Sequence, residues 1–586
     1  MSTSHLWLRS GSYTLLAHVT LPEESTQRNT GALIVPPFGW EDICSYRPLR
    51  SLAIELAAHG IPTLRFDLPG TGDSSGSSLE VGLVDAWIRS ISEAADALKT
   101  AAGVDQIAAI GTRLGAVLTL AAVSKGAALA PLVLWGGAAT GRSVLREMRA
   151  FSGMGGPELA PLIPEVPAAT PNLEVAGFVL TPQTQEDLEK LDFSQLPPMS
   201  GKHVLALTRD NLPNDAKLIA ALKNSGSELE TEVGVGYAEM MNPPHESAAP
   251  VETIRTIINF LERASSNSAP STNRRTVPAA RVSFLEEAGA KESLVCLEHE
   301  GDSLFAIVSE PTRELAIDCC LLLLNPGAIR HIGANRMWVD AARRWAIRGV
   351  PSLRLDLKNI GESGGRGDRS NPSLYRDGIV EQIQSAMEYM RSRVGARHFA
   401  VAGLCSGAFG AFQTAIRDGA VRSAILINPQ LFFWDPEVDR RRELRRIVSG
   451  LADSKDWRKL ASRQISIGRL RKAGRAALSH IRARRESMKR SQIPEKLMAR
   501  AWADLERFNT RVTFIFSQGE PLLFEMEDEN QLPPSGNERI RLVRIATADH
   551  TIRPVWAQTM VHDIIDAEVD ALCNEGQTLS ARNPAS

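Results

Sequence analysis

Short, almost continuous apolar runs alternate along this chain with longer stretches in which apolar residues recur every three or four positions. The runs Leu15–Leu21, Gly31–Val35, Ile61–Phe66, Ile107–Ile110, Leu132–Trp135 and Val204–Leu207 read as strands. Between and after them, Tyr46–His59, Trp87–Thr100 and Val251–Arg263 carry the helical period. The alternation then starts again, with strands at Cys319–Leu324, Pro351–Leu355, His398–Ala402, Ser423–Ile427 and Val512–Phe516 and helices around Ala334–Arg348 and Gly378–Val394. Strands that are apolar throughout and separated by helices predict an α/β fold with a mostly parallel sheet covered on both faces. The pattern predicts two such sheets.

The second half repeats the first in its letters as well as in its rhythm. Residues 64–76 read LRFDLPGTGDSSG and residues 353–365 read LRLDLKNIGESGG. Each copy is followed by a Gly-x-x-x-Gly turn between a strand and a helix start, Gly111-Thr112-Arg113-Leu114-Gly115 and Gly403-Leu404-Cys405-Ser406-Gly407. We therefore divide the chain into a first domain over 1–263, a flexible linker over 264–280 rich in Ser, Pro and Asn, and a second domain over 281–572. The polar residues 573–586 are expected to be a disordered tail. At 586 residues the chain is too long for one core, and either half is large enough to bury its own.

Composition narrows this little: 43% hydrophobic and 23% charged residues are ordinary for a globular protein. No apolar run approaches the ~20 residues of a membrane span, and the N-terminus lacks the pattern of a secretion signal, so a cytoplasmic protein is expected. The six cysteines show no metal-binding spacing, and Cys319 and Cys320 read as strand hydrophobes. Charge is unevenly spread. Residues 437–500 hold 20 Lys+Arg against 7 Asp+Glu, a balance of +13 in a chain whose net charge is −2. Leu470, Ala473, Ala477 and Ile481 recur at helical spacing within this insert, which predicts a basic amphipathic helix placed as a lid over the second domain. With Trp457 alone among its aromatics, the insert is a poor match for nucleic acid.

The two turns resemble the nucleophile elbow of the α/β-hydrolases, and the resemblance covers nearly the whole chain outside the linker and tail. That family presents nucleophile, acid and histidine in that order along the chain. In the second half the order is met by Cys405, Glu520 and His550, with Asp435 an alternative acid. The resemblance implies that Cys405 attacks, His550 takes its proton and Glu520 holds the imidazole. It places the oxyanion of a tetrahedral intermediate at the N–H of Ser406 and at that of Gly327 or Ala328. Ser406, one residue past the apex, is a lesser rival as nucleophile, and Asp549 is expected to order the histidine loop.

A cysteine at the apex departs from the usual serine and is similar to dienelactone hydrolases and polyhydroxyalkanoate synthases, the latter acyltransferases. This implies acyl-thioester chemistry, as acyltransferase or thioesterase, with acyl-CoA or an acyl carrier protein as donor and no metal or organic cofactor. An ester or lactone hydrolase and a non-catalytic scaffold remain as alternatives. In the first half a guanidinium, which cannot attack, holds the apex at Arg113, while Asp210 and His245 stand at the acid and histidine positions. The stretches Pro36–Glu41 and Gly141–Glu147 are similar to hydrolase-like proteins encoded with exosortase and polysaccharide systems. The expectation for Arg113, Asp210 and His245 is a vestigial site, either kept for packing or binding an anion. The acyl group, its acceptor and the oligomeric state are not legible.

Overall fold

The computed structural model describes residues 1–154, 171–210, 212–265, 274–313, 318–364, 374–375, 378–433, 495–528, 538–546 and 549–582. Its strands are β1 (Ser2–Ser10), β2 (Tyr13–Leu21), β3 (Thr30–Val35), β4 (Thr63–Phe66), β5 (Gln106–Thr112), β6 (Leu129–Trp135), β7 (Leu173–Val175), β8 (Phe178–Leu180), β9 (His203–Leu207) and β10 (Glu228–Glu232). They continue as β11 (Arg281–Val282), β12 (Leu285–Glu287), β13 (Ala290–His299), β14 (Asp302–Pro311), β15 (Cys319–Leu324), β16 (Ser352–Leu355), β17 (His398–Leu404), β18 (Val421–Ile427), β19 (Arg511–Ser517) and β20 (Ile540–Ile545).

Two nine-stranded sheets result, ordered β10-β9-β6-β5-β3-β4-β2-β1-β11 and β12-β13-β14-β16-β15-β17-β18-β19-β20. The orders are the same once β1 is matched to β13, β2 to β14 and so on. In each sheet the strands from β4 or β16 to the far edge are parallel, and those on the near side are antiparallel. Every residue of the central strands β3 and β15 is buried, as unbroken apolar runs require when helices cover both faces. Cys319 and Cys320 are among them, buried as expected.

The expected boundaries shift in three places. Residues 274–280 are not a free tether: Arg275 hydrogen-bonds Gln27 and the Pro22 carbonyl, and the Thr276 N–H reaches Thr100 O at 3.2 Å. Just beyond, β11 adds to the edge of the first sheet and β12 to the edge of the second, so residues 281–287 tie the two sheets together. The last helix, Val555–Arg582, runs through the start of the expected tail. The expected lid over 437–500 lies outside the described residues up to 494, and its last residues, 495–500, belong to the helix Glu495–Arg507.

The domains meet through the duplicated segment. Arg65 Nη2 donates to both carboxylate oxygens of Glu362, at 2.8 and 3.0 Å, and Arg354, at the equivalent place in the repeat, pairs with Asp73, the equivalent of Glu362. Each copy gives an arginine and takes one. Arg354 also reaches Glu292 at 2.6 Å, and His331 bridges Asp73 and Asp356 at 2.8 Å each; all five side chains are fully buried. Burial alone would strip His331 of its proton, but Asp356 and Asp73 lift its pKa to about 9. Apolar clusters flank these charges, Trp7, Leu16, Leu285, Phe305 and Ile307 in one and Ile43, Ile329, Ile332 and Val339 in the other.

Candidate active site

Strand β17 ends in Leu404, and the helix Ser406–Ala415 starts immediately after Cys405. That leaves one residue to reverse the chain. Cys405 does so at φ 58°, ψ −115°, a conformation that costs a non-glycine residue on the order of 1–3 kcal/mol. Its N–H is anchored to Ile427 O at 2.9 Å. The flanking glycines are steric requirements: a Cβ on Gly403 would come within 2.1 Å of Gly407 C, and one on Gly407 within 2.7 Å of Asn325 O. Arg113 has the same conformation in the first domain, φ 57°, ψ −118°.

Two further strand ends bring up the partners. Glu520 opens the helix that follows β19 and is buried, and its Oε1 lies 2.8 Å from His550 Nδ1. The histidine loop is held by Asn428 Nδ2 donating to His550 O at 2.7 Å and Ser517 Oγ to Asp549 O at 3.0 Å. Asp549 Oδ1 accepts from Thr551 N and Oγ1, the ordering role expected of it. The Tyr375 hydroxyl lies 3.7 Å from Cys405 Sγ, and His550, whose Nε2 is 3.4 Å from Gln430 Nε2, lines the same cavity as the thiol. Ser406 Oγ instead accepts from Gly327 N at 3.1 Å, so the hydroxyl of the rival nucleophile is turned to the 327 loop. The alternative acid, Asp435, lies outside the described residues.

The electrostatics favour a charge-separated pair. Burial opposes a thiolate, yet His550, the Tyr375 hydroxyl and the Ser406 N–H outweigh it and hold the Cys405 thiol below its ordinary range. Burial likewise disfavours imidazolium at His550, but Cys405 and Glu520 raise its pKa to about 10. Both shifts run in the direction that favours thiolate and imidazolium together. Cys405 alkylation by iodoacetamide is expected to rise at a lower pH in the native chain than in His550→Ala; coincident profiles would mean that the pair does not form.

The first domain does not assemble the expected vestigial trio. Arg113 gives Nε to Glu41 at 2.8 Å, Nη1 to Gly136 O at 3.0 Å and Nη2 to Glu147. Its three nitrogens are thus engaged by protein groups. Glu41 and Glu147 come from the two stretches singled out in the sequence, which here serve to clamp this arginine. Asp210 does not pair with Arg113; it accepts the backbone N–H groups of Gly236, Tyr237 and Ala238. His245 lines a different cavity altogether. That cavity, about 110 Å³, is bordered by Cys405, His550, Tyr375, Gly327 and Ala328 from the second domain and by Trp40, Pro243, Pro244 and His245 from the first.

Solved structures with a similar fold include an alpha-beta serine hydrolase homologue from Coxiella burnetii (11% identity, 46% of this chain and 94% of that one, TM-score 0.29). Est1E from Butyrivibrio proteoclasticus, solved with ferulic acid bound, is 15% identical over 45% of this chain and 100% of its own (TM-score 0.34). A Pyrococcus furiosus esterase is 12% identical over 47% and 92% (TM-score 0.31). No family model matches the chain, and no curated protein does. The topology and the two elbows decide the class. Both domains have the α/β-hydrolase fold. At these identities nothing about chemistry carries over from the neighbours, and it must be read from the side chains.

Among the described residues one group, His5, His18 and Glu362, places potential metal ligands together. Protein partners already occupy it: the two Nδ1 atoms are 2.7 Å apart, and Glu362 is taken by Arg65 and the Tyr46 hydroxyl. Sequence reasoning missed Tyr375, which carries no motif, and Asn428, whose signal is a lone Asn ending a strand at φ 44°. It also missed the share of the first domain in the second domain's cavity, because contacts between repeats leave no local pattern.

Proposed function

We propose that the chain is an acyl-thioester-processing enzyme, an acyltransferase or thioesterase that forms an acyl-Cys405 intermediate. The observation that carries this reading is the arrangement itself, with Cys405 at a strained apex, His550 lining the same cavity, and His550 bonded to buried Glu520. The Cys405 thiolate attacks the thioester carbonyl, and the oxyanion draws on the Ser406 N–H. As the tetrahedral intermediate collapses, the bond to the donor sulfur breaks and His550 protonates the leaving thiolate. Water or an acceptor then attacks the acyl-cysteine, with His550 taking its proton and Glu520 fixing the imidazole tautomer, and the acyl–Sγ bond breaks to return Cys405 as thiolate. Neither step needs a metal or organic cofactor. Acyl-CoA or an acyl carrier protein is the donor class we assign.

The first domain then acts as a non-catalytic partner that walls the cavity, a role favoured by the complete engagement of Arg113. The test is intact-protein mass after incubation with a panel of acyl thioesters. An adduct of acyl mass on the native chain, absent in Cys405→Ala and slowed in His550→Ala, is the expected result. The absence of both an adduct and free-thiol release with every thioester, while iodoacetamide still labels Cys405, would exclude the reading.

A further inference from the structure

A second and larger cavity, about 250 Å³, lies between the domains. It shares Pro244, Ala328 and Ile329 with the cavity at Cys405, so the two adjoin across the loop that follows β15. Its character is different. Arg47 and Arg50 line it from the helix Trp40–Ala58 of the first domain and Arg330 from the second, against one lining carboxylate among the described residues, the exposed Glu55.

Arg330 is only partly spent on protein groups. Its side chain is 2% exposed and pairs through Nη2 with Asp67 at 2.8 Å and Asp42 at 3.6 Å, stacked over the Tyr46 ring. Its Nε and Nη1 are buried with no hydrogen-bond partner. Both atoms are closed to water, so Arg330 offers the cavity its charge and not these two donors. Arg50 reaches Glu362 at 3.5 Å, and Arg47 donates to a neutral carbonyl, Ser247 O.

We propose that this interdomain cleft binds the phosphate of a phosphorylated pantetheine thiol carrier whose thioester lies at Cys405. The assignment rests on the thioester reading above and gives it a substrate-binding site. Guanidinium forks suit phosphate oxygens, and the cleft's position beside the loop carrying Ala328 would set a donor with its anionic end in the first domain and its acyl end in the second.

Two measurements separate this site from the chemistry. Calorimetric titration of pyrophosphate and of coenzyme A into the full-length Cys405→Ala chain reads the cleft alone. We expect saturable binding, weakened at least about tenfold by Ser51→Glu, which sets a negative charge in the wall and leaves all three arginines, and likewise by Arg47→Ala. No binding of either probe, or binding that neither substitution weakens, overturns the site. Turnover then compares an acyl-CoA with the same acyl group on N-acetylcysteamine, which has no phosphate. Ser51→Glu should lower kcat/KM about tenfold for the first and leave the second unchanged; an equal loss on both would also overturn the site. A 4′-phosphopantetheine thioester as fast as the CoA thioester would show that one phosphate suffices, as on a carrier protein; a slower one would show that the coenzyme's diphosphate is read. Binding of both probes without turnover of any thioester would leave the anion site standing and remove the thioester reading.

Discussion

Cys405→Ala is expected to lower turnover of an acyl thioester by at least about a thousandfold without unfolding the chain, since loss of a nucleophile leaves only binding and oxyanion stabilisation. Alanine can keep the φ of 58° at the apex, and its smaller side chain clears the Tyr375 hydroxyl that now lies 3.7 Å from Sγ. The melting temperature should therefore stay close to the native value. Cys405→Ser should be nearly as inactive, because a hydroxyl cannot ionise against His550 as a thiol does and the charge-separated pair is lost. Steady-state rates with the best thioester of the mass panel decide it. More than about 1% residual activity in Cys405→Ala would remove Cys405 as nucleophile.

The largest loss of stability is expected from Arg354→Met. Arg354, Asp73 and Glu292 are all fully buried, so removal of the cation leaves two carboxylates in a dry interface with His331, Arg343 and the more distant Arg330 to answer them. Breaking such a pair costs about 3–5 kcal/mol. A comparable change at the surface gives the contrast: Arg28 pairs with Glu262 at 2.7 Å, but both are about a third exposed, and Arg28→Met should cost under about 1 kcal/mol. Denaturant midpoints for the two variants provide the comparison. Equal shifts would mean that the interdomain charges are solvated and that the domains are not held together as described.

Much of the fold was legible because its signals are local. Unbroken runs such as Cys319–Leu324 could only be covered strands, and Gly403 and Gly407 are spaced by a steric clash that any residue with a Cβ would create. Chain order brought Glu520 and His550 towards Cys405 for the same reason, since each comes within five residues of the end of a parallel strand, and those ends must lie at the same edge of the sheet. What was not legible depends on the packing of one repeat against the other. Asp210 stands where an acid belongs in the sequence, yet its carboxylate is consumed by three backbone N–H groups, and His245 sits one residue beyond a Pro-Pro pair that carries it into the neighbouring domain's cavity. Arg113 could be recognised as unable to attack, but its two clamping acids lie 72 and 34 residues away. The linker was misjudged in part because Ser, Pro and Asn signal the absence of regular structure, not the absence of contacts.

The reciprocal exchange of arginines has a practical consequence. Arg65 of the first copy satisfies Glu362 of the second, and Arg354 of the second satisfies Asp73 of the first, in the manner of a self-complementary contact between two like subunits. Dividing the chain at the Ser- and Pro-rich junction would part Arg65 and Asp73 in one piece from Glu362 and Arg354 in the other, leaving Arg354 with Glu292 but Arg65 and Glu362 without each other on a surface that is dry in the whole chain, and would take Trp40 and Pro244 from the wall of the Cys405 cavity. The shortest piece that is complete in both charge and cavity is the pair of domains together, so the boundary that is plainest in the letters is the poorest place to cut.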